Sequence, residues 1–391
     1  MKNKKNSLVL LIILSILSSL SFNMAHPVTP MFINVLNLPT FMFGLFFAVM
    51  SVGNFLGSPF FGALSDKKGR IPFLILGVIG YGVSQLGFGF NTNPLIILLF
   101  RFTGGFFVVS YLTVSMAYIT DLTTKENRIK YLTYYAAANT LGGALGSLLG
   151  GAIGNVNFKN TFFVQFIFCM ILGLLIFLLL AETHTVSSDT SSSKIHNKIS
   201  YKKLLRGDLL IVLLAVGAFY FASTSYNSSI NYFIEDVLNL PPSFIGGFLA
   251  ITGILGFSVN LIFTPLLAKK FKEINIFRFI TFMLSLSLLL MVFLNKIVFF
   301  LGMALVFTSF ATIHIPLQQS IITKLSKGNY GTIMGILNSF KASGQILGSL
   351  SAGFIFDIGN KLPFLLSSVV IILSFLSLIP LKPHHNIKGE A

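Results

Sequence analysis

Two cations stand inside apolar runs, where a charge is costly. Lys341 lies ten residues beyond Gly331 in a run that reads as helix, and Arg101 lies six residues into another. At 1.5 Å rise per residue these are depths of about 15 Å and about 9 Å. A lysine stem cannot reach back to water from the middle of a bilayer. A charge held there costs about 2.5–3.5 kcal/mol on insertion scales, so it is expected to face a wet cavity. No acid accompanies the two cations. Asp66, Asp121, Glu126, Glu182, Asp189, Asp208, Glu235, Asp236, Glu273, Asp357 and Glu390 all fall in predicted loops or near helix ends. A cavity holding Arg101 and Lys341 without a counter-charge favours an anionic small-molecule substrate, or one anionic group of it. The structural alternative for Arg101 is hydrogen bonding to neighbouring carbonyls.

Proton chemistry has one candidate in these runs. His314 lies ten residues before Lys324, near the middle of its run, and histidine titrates at about pH 6.5, so it can carry a coupling proton where no acid does. A hydrogen-bonded packing histidine is the equal alternative. Tyr226, Asn227 and Asn139 are further polar residues assigned to a central cavity, and Thr312 stands where an acid might. His26, beside Pro27 and Pro30, is read as a lip residue at the outer end of its run. No HExxH, no GxSxG and no phosphate-binding glycine loop followed by Lys-Ser/Thr is present, so neither an enzyme nor an ATP-driven pump is indicated. No metal site or cofactor is expected: the single cysteine, Cys169, sits between Phe168 and Met170 and excludes both a disulfide and a cysteine cluster.

The elements that must position these residues are membrane-crossing helices. Only 10% of the 391 residues are charged and 54% are hydrophobic, against roughly 25% charged in a soluble domain. Crossing a hydrocarbon core of about 30 Å takes about 20 apolar residues. Such runs fall at 8–30, 40–64, 72–90, 95–119, 131–152 and 161–181, then at 208–233, 243–268, 275–294, 298–321, 331–356 and 363–381. Residues 1–20 have the basic start and apolar run of a signal peptide, but no small-residue cleavage site follows, so they read as part of the first span. The expected domains are a six-helix bundle at 1–181, a linker at 182–205 containing the serine-rich Ser187–Ser193, and a second six-helix bundle at 206–391.

Charge placement orients the chain. With the N-terminus inside, the inner loops and tails hold 22 of the 27 Lys and Arg, including Lys67, Lys68, Arg70, Lys202, Lys203, Arg206, Lys269 and Lys270. The outer loops hold only Lys159, Lys296 and Lys361. That asymmetry is the positive-inside pattern of a cytoplasmic membrane protein with both termini cytoplasmic. It accounts for the net charge of +16 without a nucleic-acid partner.

The halves repeat at an offset of 202 residues. Val35-Leu36-Asn37-Leu38-Pro39 recurs as Val237-Leu238-Asn239-Leu240-Pro241, and Gly44, Phe46 and Ala48 recur as Gly246, Phe248 and Ala250. Gly146-Ser147-Leu148 and Gly151 recur as Gly348-Ser349-Leu350 and Gly353. Two repeated six-helix halves with a site between them at the bilayer midplane are a secondary-transporter architecture, for which rocking, alternating access is the default mechanism.

The segment Gly62-Ala63-Leu64-Ser65-Asp66-Lys67-Lys68-Gly69-Arg70, in the inner loop after the second span, resembles the signature loop of the major facilitator superfamily. The resemblance covers essentially the whole chain and implies an all-α integral membrane fold of twelve transmembrane helices in two pseudo-symmetric bundles. Spacing and size look most like the twelve-helix bacterial drug:proton antiporters. It further implies gating roles for Gly62, Asp66, Gly69 and Arg70, whose loop latches the inner gate, and for Asp121 and Arg128 as an acid–base pair flanking the next inner loop. Gly62 is expected to permit close helix approach. Ala268 replaces the aspartate in the second half, which predicts a weaker latch there. Arg101 with Gly104-Gly105 resembles the family's intramembrane arginine motif, and Gly142, Gly146, Gly150 and Gly151 resemble its antiporter packing motif, with Ser147 in place of proline. The proton-site carboxylate of those pumps is missing. The resemblance thus implies efflux of drugs or metabolites, with proton coupling left open. Uptake of a nutrient or organic anion and a non-transporting sensor are the alternatives.

Overall fold

A computed structural model describes residues 2–183, 207–263, 266–267, 271–325 and 330–381. Most of the expected linker, with Ser187–Ser193, Lys202, Lys203 and Arg206, lies outside the described residues, as do Ala268, Lys269 and Lys270. The described chain is helical, with no strand. The first span is broken: α1 (Lys2–Asn23) is followed by a 3-10 turn (His26–Val28) and α2 (Thr29–Val35). Pro27 and Pro30 lack the N–H needed to carry an α-helix through this point. Then come α3 (Met42–Lys68), α4 (Ile71–Phe90), α5 (Pro94–Leu122), α6 (Lys125–Gly154) and α7 (Phe158–Leu179). The second half contributes α8 (Asp208–Tyr232) running into a π turn (Phe233–Val237), and α9 (Pro242–Ser258) running into another (Val259–Phe263). It continues with α10 (Glu273–Phe293), α11 (Ile297–Leu325), α12 (Tyr330–Phe356) and α13 (Leu362–Leu378).

Ten of these segments are long and apolar enough to cross a bilayer, and α13 is a shorter apolar helix. The 27-residue α12 is more polar, carrying Asn338, Lys341, Ser343 and Gln345. Counting α1 with α2 as one, the described residues hold twelve helical segments. Large apolar side chains point outward, Phe177 at 67% and Val298 at 74% exposure among them, as expected where lipid is the solvent.

Local chemistry sets the ends. Asn93 and Asn157 cap α5 and α7 by accepting from Leu95 N at 2.9 Å and Lys159 N at 3.0 Å. The repeated pentapeptide is a repeated turn: Asn37 and Asn239 have φ of 50° and 53°. Asparagine is the residue besides glycine that tolerates this left-handed geometry, so it recurs at both span ends.

The chain forms two compact units, and α8, α9 and α12 each divide between them. Unit 1 is Met1–Ile195, Asn227–Phe257 and Ser349–Asn360. In it α3 and α4 pack on α5, α1 on α6, and α4 on α7, around a core including Leu14, Phe61, Leu74, Tyr111, Val114 and Ile176. Gly142, Gly146 and Gly150 bring α6 onto α1 so closely that a Cβ would stand 2.2, 2.1 and 2.0 Å from the carbonyls of Ile16, Leu20 and Met24. Gly62 has no such neighbour, since its nearest atom is Thr113 Cγ2 at 3.8 Å. The close approach of α3 to α5 occurs instead at Gly53 and Gly57, against Phe102 O and Phe106 O. Unit 2 is His196–Tyr226, Ser258–Gly348 and Lys361–Ala391. There α10 packs on α11 and α13, and Gly344 and Gly348 of α12 lie against the backbone of Gly217 and Phe221 of α8. These are the repeat partners of Gly142 and Gly146.

Candidate functional site

The signature loop forms a compact ionic cluster in unit 1. Gly69 ends α3 at φ +94°, which turns the chain so that Arg70 points back beneath the helices. The Arg70 side chain is buried; its Nε donates to Asp121 Oδ2 at 2.8 Å, and Nη1 donates to Ser65 Oγ at 2.9 Å and to Asp66 Oδ1. Burial works against its charge, but the hydrogen bonds to Asp121 and Asp66 outweigh that and raise its pKa. Asp121 is therefore paired with Arg70 and not with Arg128, whose Nε has no hydrogen-bond partner. Glu182 was not singled out as a gating residue from sequence. Its carboxylate accepts from Arg70 N at 2.8 Å and Ile71 N at 3.0 Å, at the start of α4, and fills the space where a Cβ on residue 69 would stand. That explains the glycine twice, by φ and by room. Thr183 adds a bond to Asp121.

Two adjoining cavities lie between α1, α6, α8 and α9 in unit 1. One, of about 380 Å³, is lined by Asn23, His26, Asn139, Thr140, Asn227 and Asn231, with Phe47 at its side. The other, of about 370 Å³, is lined by Ile12, Ile16, Leu141, Ile254 and Phe257, with Tyr134 as its polar contribution. They share Ala144 and Gly253. Among the described residues neither lining contains an Asp, Glu, Lys or Arg. Their volumes lie in the range of ligand pockets, roughly 300–1,000 Å³. The break after Asn23 is what sets His26 here, stacked on Phe47 at 5.9 Å between ring centroids. It lines this cavity. Two prolines in an apolar run, followed by a return to helix, were the signal for this.

The expected cavity residues divide. Asn139 and Asn227 line the amide-rich cavity together. Arg101 is buried in unit 1 beside it, its guanidinium 3.8 Å from the centroid of Phe88 and 5.6 Å from that of Phe46, with Nη2 donating to Thr29 Oγ1 at 3.3 Å. Aromatic faces and one hydroxyl hold this charge. Lys341 belongs to unit 2, its Nζ 5.3 Å from the centroid of the Tyr220 ring. His314 is fully buried there, stacked on Phe219 at 4.0 Å and against Phe277 at 4.6 Å, and neither ring nitrogen has a hydrogen-bond partner. Tyr226 is likewise buried, against Phe307. Arg101, Lys341, His314 and Tyr226 are not among the residues lining the two cavities.

In unit 1, helices of the two sequence halves also cross at glycines. Gly44 of α3 meets Ser349 O and Gly353 of α12, and Gly246 of α9 meets Ser147 O and Gly151 of α6. The two crossings are related by the 202-residue repeat. Nearby, Tyr232 donates to Asn34 Oδ1 at 3.1 Å, and Glu235, on the π turn, bonds to Asn34 and to the Met31 backbone while its Oε2 is buried without a partner.

Apolar helices long enough to span a bilayer, a buried ionic cluster at one end and a drug-sized cavity between helices point to a small-molecule membrane transporter. Over residues 11–349 the chain matches the Major Facilitator Superfamily, and it belongs to that family. It is 23% identical to Multidrug resistance protein 2 of Bacillus subtilis (strain 168), over 95% of this chain and 94% of that protein. It is 25% identical to the quinolone resistance protein NorA of Staphylococcus aureus (strain MSSA476), over 90% and 92%. Its fold is shared with the inward-facing, occupied crystal structure of a bacterial homolog of the human lysosomal transporter Spinster. That match has a TM-score of 0.78 and 13% identity, over 97% of each chain. The protein is thus a secondary transporter of the bilayer and not an enzyme.

Proposed function

We propose that this protein exports drugs or drug-like metabolites across the bacterial cytoplasmic membrane, with both termini cytoplasmic. The two six-helix halves, 1–181 and 206–391, alternate access around the cavity pair, with 182–205 as the linker. The observation that carries this reading is the composite cavity itself, uncharged, part amide and part apolar, in a chain whose relatives are a multidrug and a quinolone resistance protein. The Arg70 cluster serves as the inner latch and the paired glycine crossings as the outer closure. Inside-out vesicles that accumulate a fluorescent drug, and lose that ability with Asn139→Leu, support export; accumulation confined to right-side-out vesicles makes the protein an importer.

Proton coupling is the second part of the proposal, with Glu235 as its carrier. It is a half-buried carboxylate on the seventh span, bonded to Asn34 of the first, with one oxygen left unpartnered. Glu235→Gln is expected to retain drug binding and lose response to a pH gradient; unchanged gradient-driven transport removes the assignment. An anionic substrate is the other reading, favoured by Lys341, which no carboxylate pairs with among the described residues. Lys341→Ala that lowers transport of anions alone supports it, and unchanged transport of every accepted anion removes it.

A further inference from the structure

The export reading leaves the chemical class of the cargo open, and the cavity lining narrows it. Polarity is segregated: the amide-rich part gathers Asn23, His26, Asn139, Asn227 and Asn231, while the adjoining part is aliphatic and aromatic. The two parts adjoin, with Ala144 and Gly253 in the lining of each. One molecule reaching through both must itself be segregated, with a polar end and an apolar body.

The amides are not interchangeable donors and acceptors. Asn23 Nδ2 donates to Ser19 O at 2.8 Å, and Asn139 Nδ2 donates to Tyr135 O at 2.9 Å, each within its own helix. A main-chain carbonyl can only accept, so the NH2 group must be the end turned to the helix, leaving Oδ1 for the cavity. Asn231 holds a third oxygen that the cavity does not yet reach: the residue is 6% exposed and its Oδ1 is buried without a partner, so a ligand's donor meets it only when this side chain turns. A buried acceptor left unmet costs about 1–3 kcal/mol. A ligand that brings N–H or O–H donors recovers that cost, and one without donors does not.

Charge is selected against. Among the described residues no carboxylate lines either part to neutralise a cation. An anion finds no cation among the described lining residues and meets a row of amide oxygens. Resting on the export reading above, we infer that the transported molecule is a neutral amphiphile. Its uncharged head, a hydroxyl or amide N–H donor, is read by the oxygens of Asn23, Asn139 and Asn231, and its apolar body lies along Ile12, Ile16, Leu141, Ile254 and Phe257.

The test uses four fluorescent probes with one naphthalene body and different heads: a primary carboxamide, its N,N-dimethyl form, a trimethylammonium and a sulfonate. Binding to the full-length protein in lipid nanodiscs is read from probe fluorescence with empty discs subtracted; the chain has no tryptophan to interfere. The primary carboxamide is expected to bind about tenfold more tightly than each of the others. Asn231→Leu is expected to raise its Kd about tenfold and to leave the Kd of the dimethyl form within about twofold. Asn139→Leu provides the same reading should the first variant fail to fold, and the ranking on the unmodified protein needs no variant. Equal affinity for the two amides, or tighter binding of either charged head, overturns the inference. In inside-out vesicles, accumulation of the ammonium probe but not the carboxamide would sink the head-group assignment while leaving export intact. Accumulation and binding of none would sink both.

Discussion

Alanine at Gly146 and alanine at Gly104 are expected to act with opposite signs. Both lie within membrane helices, α6 and α5, and in both the substitution adds a single methyl. Alanine is favoured over glycine in a helix by about 1 kcal/mol. At Gly104 the added Cβ meets nothing nearer than Ser84 Cβ at 3.6 Å, so that preference acts alone. At Gly146 it would stand 2.1 Å from Leu20 O and 2.8 Å from Leu20 C and Cα. These are backbone atoms that no rotamer change can move. Ordinary contact begins at 3.4 Å, so α1 and α6 must separate by about 1.3 Å, and overpacking of this kind costs about 1–3 kcal/mol. Because three contacts are backbone, the upper half of that range applies and the clash outweighs propensity. The same two helices carry Asn23, Asn139, Ile16 and Leu141 of the cavities, so the separation spreads to the site. Purified variants should show a raised or unchanged thermal midpoint for Gly104→Ala and a lowered one for Gly146→Ala, which should also lose most drug accumulation in vesicles. A Gly146→Ala protein with the unmodified midpoint and full transport would refute the close crossing of α1 and α6.

Three further outcomes follow from single residues. Glu182→Ala removes the acceptor for two backbone N–H groups at the start of α4 and is expected to cost about 1–2 kcal/mol, seen as a lower thermal midpoint and slower export with drug binding retained; Glu182→Gln should recover part of the loss. His314→Phe replaces an imidazole whose nitrogens are both unpartnered between two phenyl rings, so transport within about twofold and no fall in midpoint are expected; loss of transport would make the histidine functional. Asn37→Val places a β-branched residue at φ 50° and should destabilise by about 1–2 kcal/mol, while Asn37→Gly should be tolerated, in paired melting curves.

The spans were legible because each apolar run is bounded by a capping asparagine, a proline near the first helical position or a basic cluster. These are local signals, and α3 to α7 begin and end close to where they point. The signature loop was legible for the same reason, down to Gly69 and Arg70. Partner choice was not. Asp121 and Arg128 are near in sequence, yet Asp121 turns to Arg70 because α5 and α3 pack side by side, and Glu182 arrives from a helix end more than a hundred residues away. The surroundings of the buried cations were not legible, because sequence shows where a charge sits but not what it faces. Arg101 is covered by Phe88 and Phe46, rings that composition alone leaves among 43 phenylalanines. Of the asparagines lining the cavity, Asn139 and Asn227 were named from sequence, and Asn23 and Asn231 were not, since uncharged side chains leave no mark in a charge map. His26 was placed beside its prolines near the outer end of the first span, and its place in a cavity lining follows only from the break there.

The most direct measurement is drug accumulation in vesicles of both orientations made from purified protein and lipid. Inside-out vesicles with an acidic lumen should accumulate a neutral amphiphilic drug, right-side-out vesicles should not, and Asn139→Leu should abolish the difference. Accumulation in right-side-out vesicles alone, or accumulation that Asn139→Leu leaves untouched, would contradict export through this cavity.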